Sequence, residues 1–143
     1  MKSDIIPPAI LAQAYDVIAK NRNVAVKKLK SVTNSELYSA LAFSLGVPWF
    51  TSADFNIPFR AECRKHASFI PNKIFKEYGF IPVSRRDKVI TLASPHPWDP
   101  MLVEVIRSYF PKCEQIQFYL VTPADFDYII NTRYKAPFDP FDL

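Results

Sequence analysis

The chain has 143 residues, of which 49% are hydrophobic and 15% aromatic, and its formal net charge is +4. This apolar content argues against a disordered chain, and the length suits one domain or two small packed lobes. Residues 1–88 hold fourteen Lys/Arg against seven Asp/Glu, a net +7, whereas residues 89–143 hold four against seven, a net −3. Such asymmetry can steer partners of opposite charge to different regions, although it more often reflects only a solvated surface.

The N-terminal part is predicted to contain two helices. The first, over residues 8–20, places its apolar side chains on one face. The second, over residues 34–45, begins with Thr33 and Glu36 at capping-box spacing and stops at Gly46. These two helices are expected to pack on each other as a small helical lobe.

The next predicted elements are a short helix and a hairpin. A helix over residues 71–78 stops at Gly79, which can adopt the left-handed conformation of a C-terminal residue. Residues 80–83 and 89–93 are short β-prone runs, and the polar residues 84–88 between them have the length of a hairpin connection. We therefore predict one antiparallel pair of strands.

Two more helices and a third strand complete the pattern. Asp99 is a predicted N-cap, followed by a helix that stops by Pro111. Residues 116–121 are predicted to form the third strand, and Thr122 is predicted to cap a last helix that buries Phe126.

The fold class follows as α+β. We predict an N-terminal helical lobe over residues 1–56 and an αββαβα lobe with a three-stranded sheet over residues 57–134. An extended tail or linker follows over residues 135–143. Residues 49–60, aromatic and proline-bearing without clear period, are the candidate lobe boundary. Residues 24–29 are compatible with either a helical turn or an extended segment.

Several short motifs occur in a recognisable order. They are Phe-Ile-Pro at 69–71, Tyr-Gly-Phe-Ile-Pro-Val at 78–83, Ser-Pro-His-Pro-Trp-Asp-Pro at 94–100, Thr-Pro-Ala-Asp-Phe at 122–126 and a closing Tyr134. Together they resemble the N-terminal domain of type II secretion and type IV pilus assembly ATPases, the MshE N-terminal or GspE N-terminal domain family. The resemblance covers about half of the chain in register and extends more loosely over residues 37–49. Because this domain type also accompanies glycosyltransferases, the parent system stays open.

Glycine usage argues against nucleotide hydrolysis. Only Gly46 and Gly79 are present, and both are explained as helix stops. None remains for a phosphate-cradling loop, so any ATPase motor would lie outside these residues. We therefore predict no enzymatic activity and no catalytic residue.

A metal site is not expected. Cys63 and His66 are three residues apart, but His96 and Cys113 do not supply a second close pair of ligands. Asp99, beside His96, already has a structural role as an N-cap. The two cysteines are predicted to be free thiols, and a disulfide between them stays open.

A basic strip runs through the first third of the chain. Lys20, Arg22, Lys27, Lys28 and Lys30 are not interrupted by an acidic residue. Such a strip can hold phosphates, but it contains none of the interleaved aromatic residues that nucleic-acid binding favours. We therefore predict no nucleic-acid partner.

The resemblance implies cyclic di-GMP as an alternative ligand, because family members bind it through a motif in the helical lobe. The matching candidates here are Arg22, Lys27, Lys28, Leu29, Leu37 and Leu41. Both glycines of the family motif are absent, and a larger side chain blocks close approach of the backbone to a ligand. No cofactor is therefore the first expectation, with cyclic di-GMP binding as the alternative.

The resemblance also implies a protein partner, the cytoplasmic domain of an inner-membrane platform protein. Aromatic residues outside the clearest core positions suit either an interface or a small core. They are Trp49, Phe50, Phe55, Phe59, Trp98, Phe138 and Phe141. The chain begins with an acid and a proline pair rather than a signal peptide, and no stretch reaches about 20 apolar residues. We expect a cytoplasmic adaptor or regulatory domain, peripheral to the membrane through its partner and without direct membrane insertion.

Overall fold

The computed structural model describes residues 6–54, 65 and 70–131. Within these ranges the chain forms five α-helices: α1 Pro8–Arg22, α2 Asn34–Leu45, α3 Asn72–Tyr78, α4 Pro100–Tyr109 and α5 Pro123–Ile129. Three strands, β1 Ile81–Arg86, β2 Val89–Ser94 and β3 Gln115–Leu120, form one sheet in the order β1-β2-β3. The predicted α+β fold and the order αββαβα are confirmed. No helix in the described part of the chain is long and apolar enough to cross a membrane.

The helical lobe is built from α1 and α2. Ala14 and Ile18 of α1 and Leu41 of α2 are almost completely buried between the two helices. The predicted cap of α2 is confirmed, because the Thr33 side chain accepts a hydrogen bond from the Glu36 backbone N–H at 3.1 Å. The segment between the helices contains a single 3₁₀ turn, Val26–Lys28, so the helical alternative is the one observed.

The hairpin differs from its prediction in its turn. β1 and β2 pair antiparallel from Ile81 opposite Ala93 to Arg86 opposite Val89, so the polar residues 84–86 belong to the strand. Only Asp87 and Lys88 form the turn, and Asp87 adopts a positive φ of 55°. The predicted five-residue connection was wrong, because charged side chains can extend into solvent from an edge strand that continues past the core.

The third strand pairs parallel to β2, after the crossover through α4. It covers Gln115–Leu120, one residue earlier than predicted. Both predicted caps are confirmed: an oxygen of Asp99 accepts from the Met101 N–H at 3.0 Å, and Thr122 accepts from the Asp125 N–H at 3.1 Å. The last helix buries Phe126 as predicted.

The chain segment after α2 joins the sheet. The Phe50 N–H donates to the Leu120 carbonyl at 2.7 Å, and the Leu120 N–H donates to the Pro48 carbonyl at 2.9 Å. Phe50 lies in the core of the sheet lobe with 4% exposure, so of the two alternatives for this residue, interface or core, the core is the one observed. Leu120 packs in the helical core, together with the half-buried Trp49 and Trp98. These contacts connect the helical lobe directly to the sheet.

Four more of these aromatic residues, Phe55, Phe59, Phe138 and Phe141, lie outside the described residues. The lobe boundary at residue 56 and the tail over residues 135–143 also lie outside them.

Candidate functional site

One arginine side chain links the end of α1 to the far end of the loop of residues 23–33 and to the start of α2. Arg22, the last residue of α1, donates from Nη1 to the Lys30 carbonyl at 2.7 Å. Its Nε donates to Glu36 Oε2 at 2.8 Å, and its Nη2 contacts Glu36 Oε1. The guanidinium therefore makes a bidentate pair with the first turn of α2 while also closing the loop.

The electrostatics of this pair follow from its geometry. The hydrogen bonds from Arg22 are the main reason that the pKa of Glu36 lies below its ordinary value of 4.5. The same hydrogen bonds raise the pKa of Arg22 further above its already high value. Both side chains are about one-third exposed, so salt in the solvent screens the pair. Arg22 is thus a structural residue of the loop in this conformation.

The six candidate cyclic di-GMP residues lie in different environments. Arg22 is engaged by Glu36 and by the loop backbone, whereas Lys27 and Lys28 lie exposed on the 3₁₀ turn. The three leucines, Leu29, Leu37 and Leu41, belong to the helical core or pack against it, and Leu41 is 0% exposed. Of the six, the two lysines are the ones whose side chains are free to reach a ligand from their present positions.

A groove of about 210 Å³ lies between α1 and α2. Its lining is mainly apolar, with Asn21, Glu36 and Ser39 as the polar members; the remaining residues are Val17, Ile18, Ala40 and Phe43. Phe43 is 77% exposed, the largest exposure of any bulky apolar residue in the described part of the chain. The volume is below the roughly 300–1,000 Å³ of typical small-ligand pockets.

The prediction from sequence did not single out Phe43. A usable signal was present, because Phe43 lies two residues after Leu41 and therefore on nearly the opposite side of α2. A phenylalanine on the outer side of an amphipathic helix is not explained by the helix's own core.

A second, smaller cavity of about 70 Å³ lies beside His96 in the sheet lobe. The imidazole is 1% exposed, and its Nδ1 is 3.8 Å from Asp99 Oδ2. The His96 backbone N–H donates to Ser94 Oγ at 3.1 Å, and the imidazole ring packs against Gly79. His96 is therefore a packed core residue at the junction of α3 and the turn before α4.

Metal ligands are not assembled in the described residues. No group of three His, Cys, Asp or Glu side chains there could hold a metal ion. Cys63 and His66, the closely spaced pair for which no metal site was expected, lie outside the described residues. Cys113 is a buried thiol in the core of the sheet lobe.

Comparison with known proteins gives consistent matches. The sequence matches the MshEN domain family over residues 45–138, more than half of the chain. The fold is similar to a solved structure of MshE with cdg, at a TM-score of 0.60 and 18% identity, covering 91% of each chain. It is also similar to the N-terminal domain of XpsE, at a TM-score of 0.53 and 12% identity, covering 89% of this chain and 97% of that one. No curated protein matches the sequence.

Proposed function

The chain belongs to the MshEN domain family, and on this premise we propose that it is a non-catalytic docking domain of a type II secretion or type IV pilus machine. Its partner would be the cytoplasmic domain of an inner-membrane platform protein. The N-terminal domain of XpsE, which has a similar fold, has been solved as a separate unit, which supports a domain that is distinct from any motor. Any ATPase motor would be a separate domain.

The observation that carries the proposal is the exposed Phe43 beside the groove between α1 and α2. Apolar side chains with this exposure are common at protein interfaces, where a few aromatic residues supply most of the binding free energy. The groove floor, which includes Val17, Ile18 and Ala40, can receive one or two apolar side chains of the partner. The apolar area that a partner covers here adds favourable free energy of association.

Hydrogen–deuterium exchange of the full chain, with and without the platform's cytoplasmic domain, tests this assignment. We expect slower exchange in α1 and α2 when the partner is present, because docking covers their shared groove. The β1–β2 hairpin serves as an internal reference and should exchange at an unchanged rate. Protection confined to the hairpin, or none at about 100 μM partner, would refute docking at the groove.

A second candidate is a cyclic di-GMP-binding regulatory domain. It is favoured by the similarity to MshE, which was solved with cdg. The position of the candidate residues weighs against it, because Arg22 is engaged with Glu36 and Leu41 is fully buried. Calorimetric titration with cyclic di-GMP separates the two candidates: docking alone predicts no binding at micromolar concentrations. Micromolar binding that weakens in Lys28→Gln would establish the nucleotide as a ligand.

A further inference from the structure

The loop of residues 23–33 exposes two aliphatic side chains. Val24 is 43% exposed and Val26 is 45% exposed, whereas Leu29 of the same loop packs against the helical core. Leu29 and Val32 are both partly buried against the helical core and anchor the loop on the lobe, without help from Val24 or Val26. The two valines therefore need a different explanation from packing within the chain.

The loop presents these valines in a fixed conformation. Asn23 takes the left-handed conformation that ends α1, and the Val24 N–H donates to the Ala19 carbonyl at 3.0 Å. The Leu29 N–H donates to the Val26 carbonyl at 3.0 Å, which closes the 3₁₀ turn. With Arg22 bound to the Lys30 carbonyl, the loop is ordered before it meets any partner. Binding through this loop has little ordering entropy to overcome.

Positive charge surrounds the two valines in the sequence. Lys20, Lys27, Lys28 and Lys30 are all exposed, and no acidic residue occurs between Asp16 and Glu36. Glu36 pairs with Arg22 and neutralises its charge. The four lysines therefore give the loop region its net positive charge.

We propose that this loop is a contact site for an anionic lipid surface. Lysines are attracted to acidic headgroups, and exposed aliphatic side chains between them can enter the interfacial layer without crossing the bilayer. Nucleic acid fits less well, because residues 20–31 contain no aromatic side chain on which a base could stack. None of the residues that line the Phe43 groove lies within residues 23–33, although Asn21 and Glu36 of its lining flank the loop. The proposed lipid contact amends the expectation that the domain reaches the membrane only through its partner.

Vesicle co-sedimentation of the full chain tests this site. Vesicles of phosphatidylglycerol with phosphatidylcholine should bind the chain, vesicles of phosphatidylcholine alone should not, and raised salt should weaken the binding. In Lys27→Gln/Lys28→Gln the partition coefficient should fall roughly 25-fold, about fivefold for each lysine. In Val24→Ser/Val26→Ser it should fall about tenfold at unchanged charge.

The matched control is Arg85→Gln/Arg86→Gln, which removes the same charge from two exposed positions at the end of β1. This control should bind vesicles like the unmodified chain. An equal loss in the control would overturn the site, since it would show attraction by net charge alone. An unchanged partition in the valine variant, or displacement of the chain from vesicles by an equal concentration of a single-stranded oligonucleotide, would also overturn it. Circular dichroism checks that each variant is folded.

Discussion

Arg22 and Glu36 join the end of α1 to the start of α2 through two contacts between one guanidinium and one carboxylate. The pKa of Glu36 is lowered in the folded chain. The pair therefore stabilises the fold at pH values above 4.5, the ordinary pKa of this side chain. That stabilisation is lost as the pH falls from 4.5 through the lower folded-state value, because the carboxylate then takes up a proton. The effect should be modest, because both side chains are partly exposed.

The pH dependence of Arg22→Gln tests this pair. We expect the variant to melt at a lower temperature than the unmodified chain at pH 7, with a difference that shrinks as the pH falls below 4.5. Thermal melts from pH 7 to pH 3 at low salt measure it, and Arg107→Gln on α4 is a control of equal charge. A difference that stays constant over this range would contradict the assigned role of the pair.

Gly79 should not tolerate a side chain. Its φ is +76°, and a Cβ at this position would lie 2.7 Å from His96 Cε1 and closer still to Nε2. We expect Gly79→Ala to lower the free energy of unfolding by about 2–5 kcal/mol, from backbone strain and from overpacking. Chemical denaturation of purified variants measures the change.

Gly46 provides a matched control for this prediction. Its φ is +69°, but a Cβ there would meet nothing within 4 Å. Gly46→Ala should therefore show only the backbone cost, about 1–2 kcal/mol. In a His96→Ala background, the loss of unfolding free energy caused by Gly79→Ala should fall towards the same value. Equal costs for the two glycine substitutions in the unmodified background would show that contact with His96 does not matter.

Asp99 contributes through its cap on α4. Asp99→Ala should cost about 1 kcal/mol of unfolding free energy, since the Met101 N–H loses its acceptor. Asp99→Asn keeps an oxygen in the same place and should cost much less, although it removes the charge near His96. Urea denaturation at pH 7 compares the two variants. A loss in Asp99→Asn as large as in Asp99→Ala would indicate that charge, rather than capping, is the contribution.

Local features of the fold were predictable from the sequence, and non-local ones were not. Thr33, Asp99 and Thr122 cap helices as predicted, because a cap depends on residues two or three positions away. The pairing of Pro48 and Phe50 with β3 joins residues about seventy positions apart, and no local pattern encodes it. The hairpin turn was misplaced because the polar residues 84–86 extend β1 past its buried part, where an edge strand can point charged side chains into solvent.

In the candidate site, too, the sequence predicts local features but not contacts between distant residues. The basic strip is visible in the sequence, but the engagement of Arg22 by Glu36 depends on how α1 packs against α2. Leu41 matched an apolar position of the family motif, yet the helix places it in the core. The spacing of Phe43 from Leu41 indicated its outward position on α2, but the groove beside it forms only where α1 packs against α2.

The docking claim is tested most directly by calorimetric titration of the full chain with the platform's cytoplasmic domain, comparing the unmodified chain with Phe43→Ser. Met101→Ser, which replaces another exposed apolar residue on a helix, is the control. We predict that Phe43→Ser raises Kd at least about tenfold while Met101→Ser leaves it unchanged. Equal affinity of all three chains, or no binding by the unmodified chain at about 100 μM, would contradict docking through the α1–α2 groove.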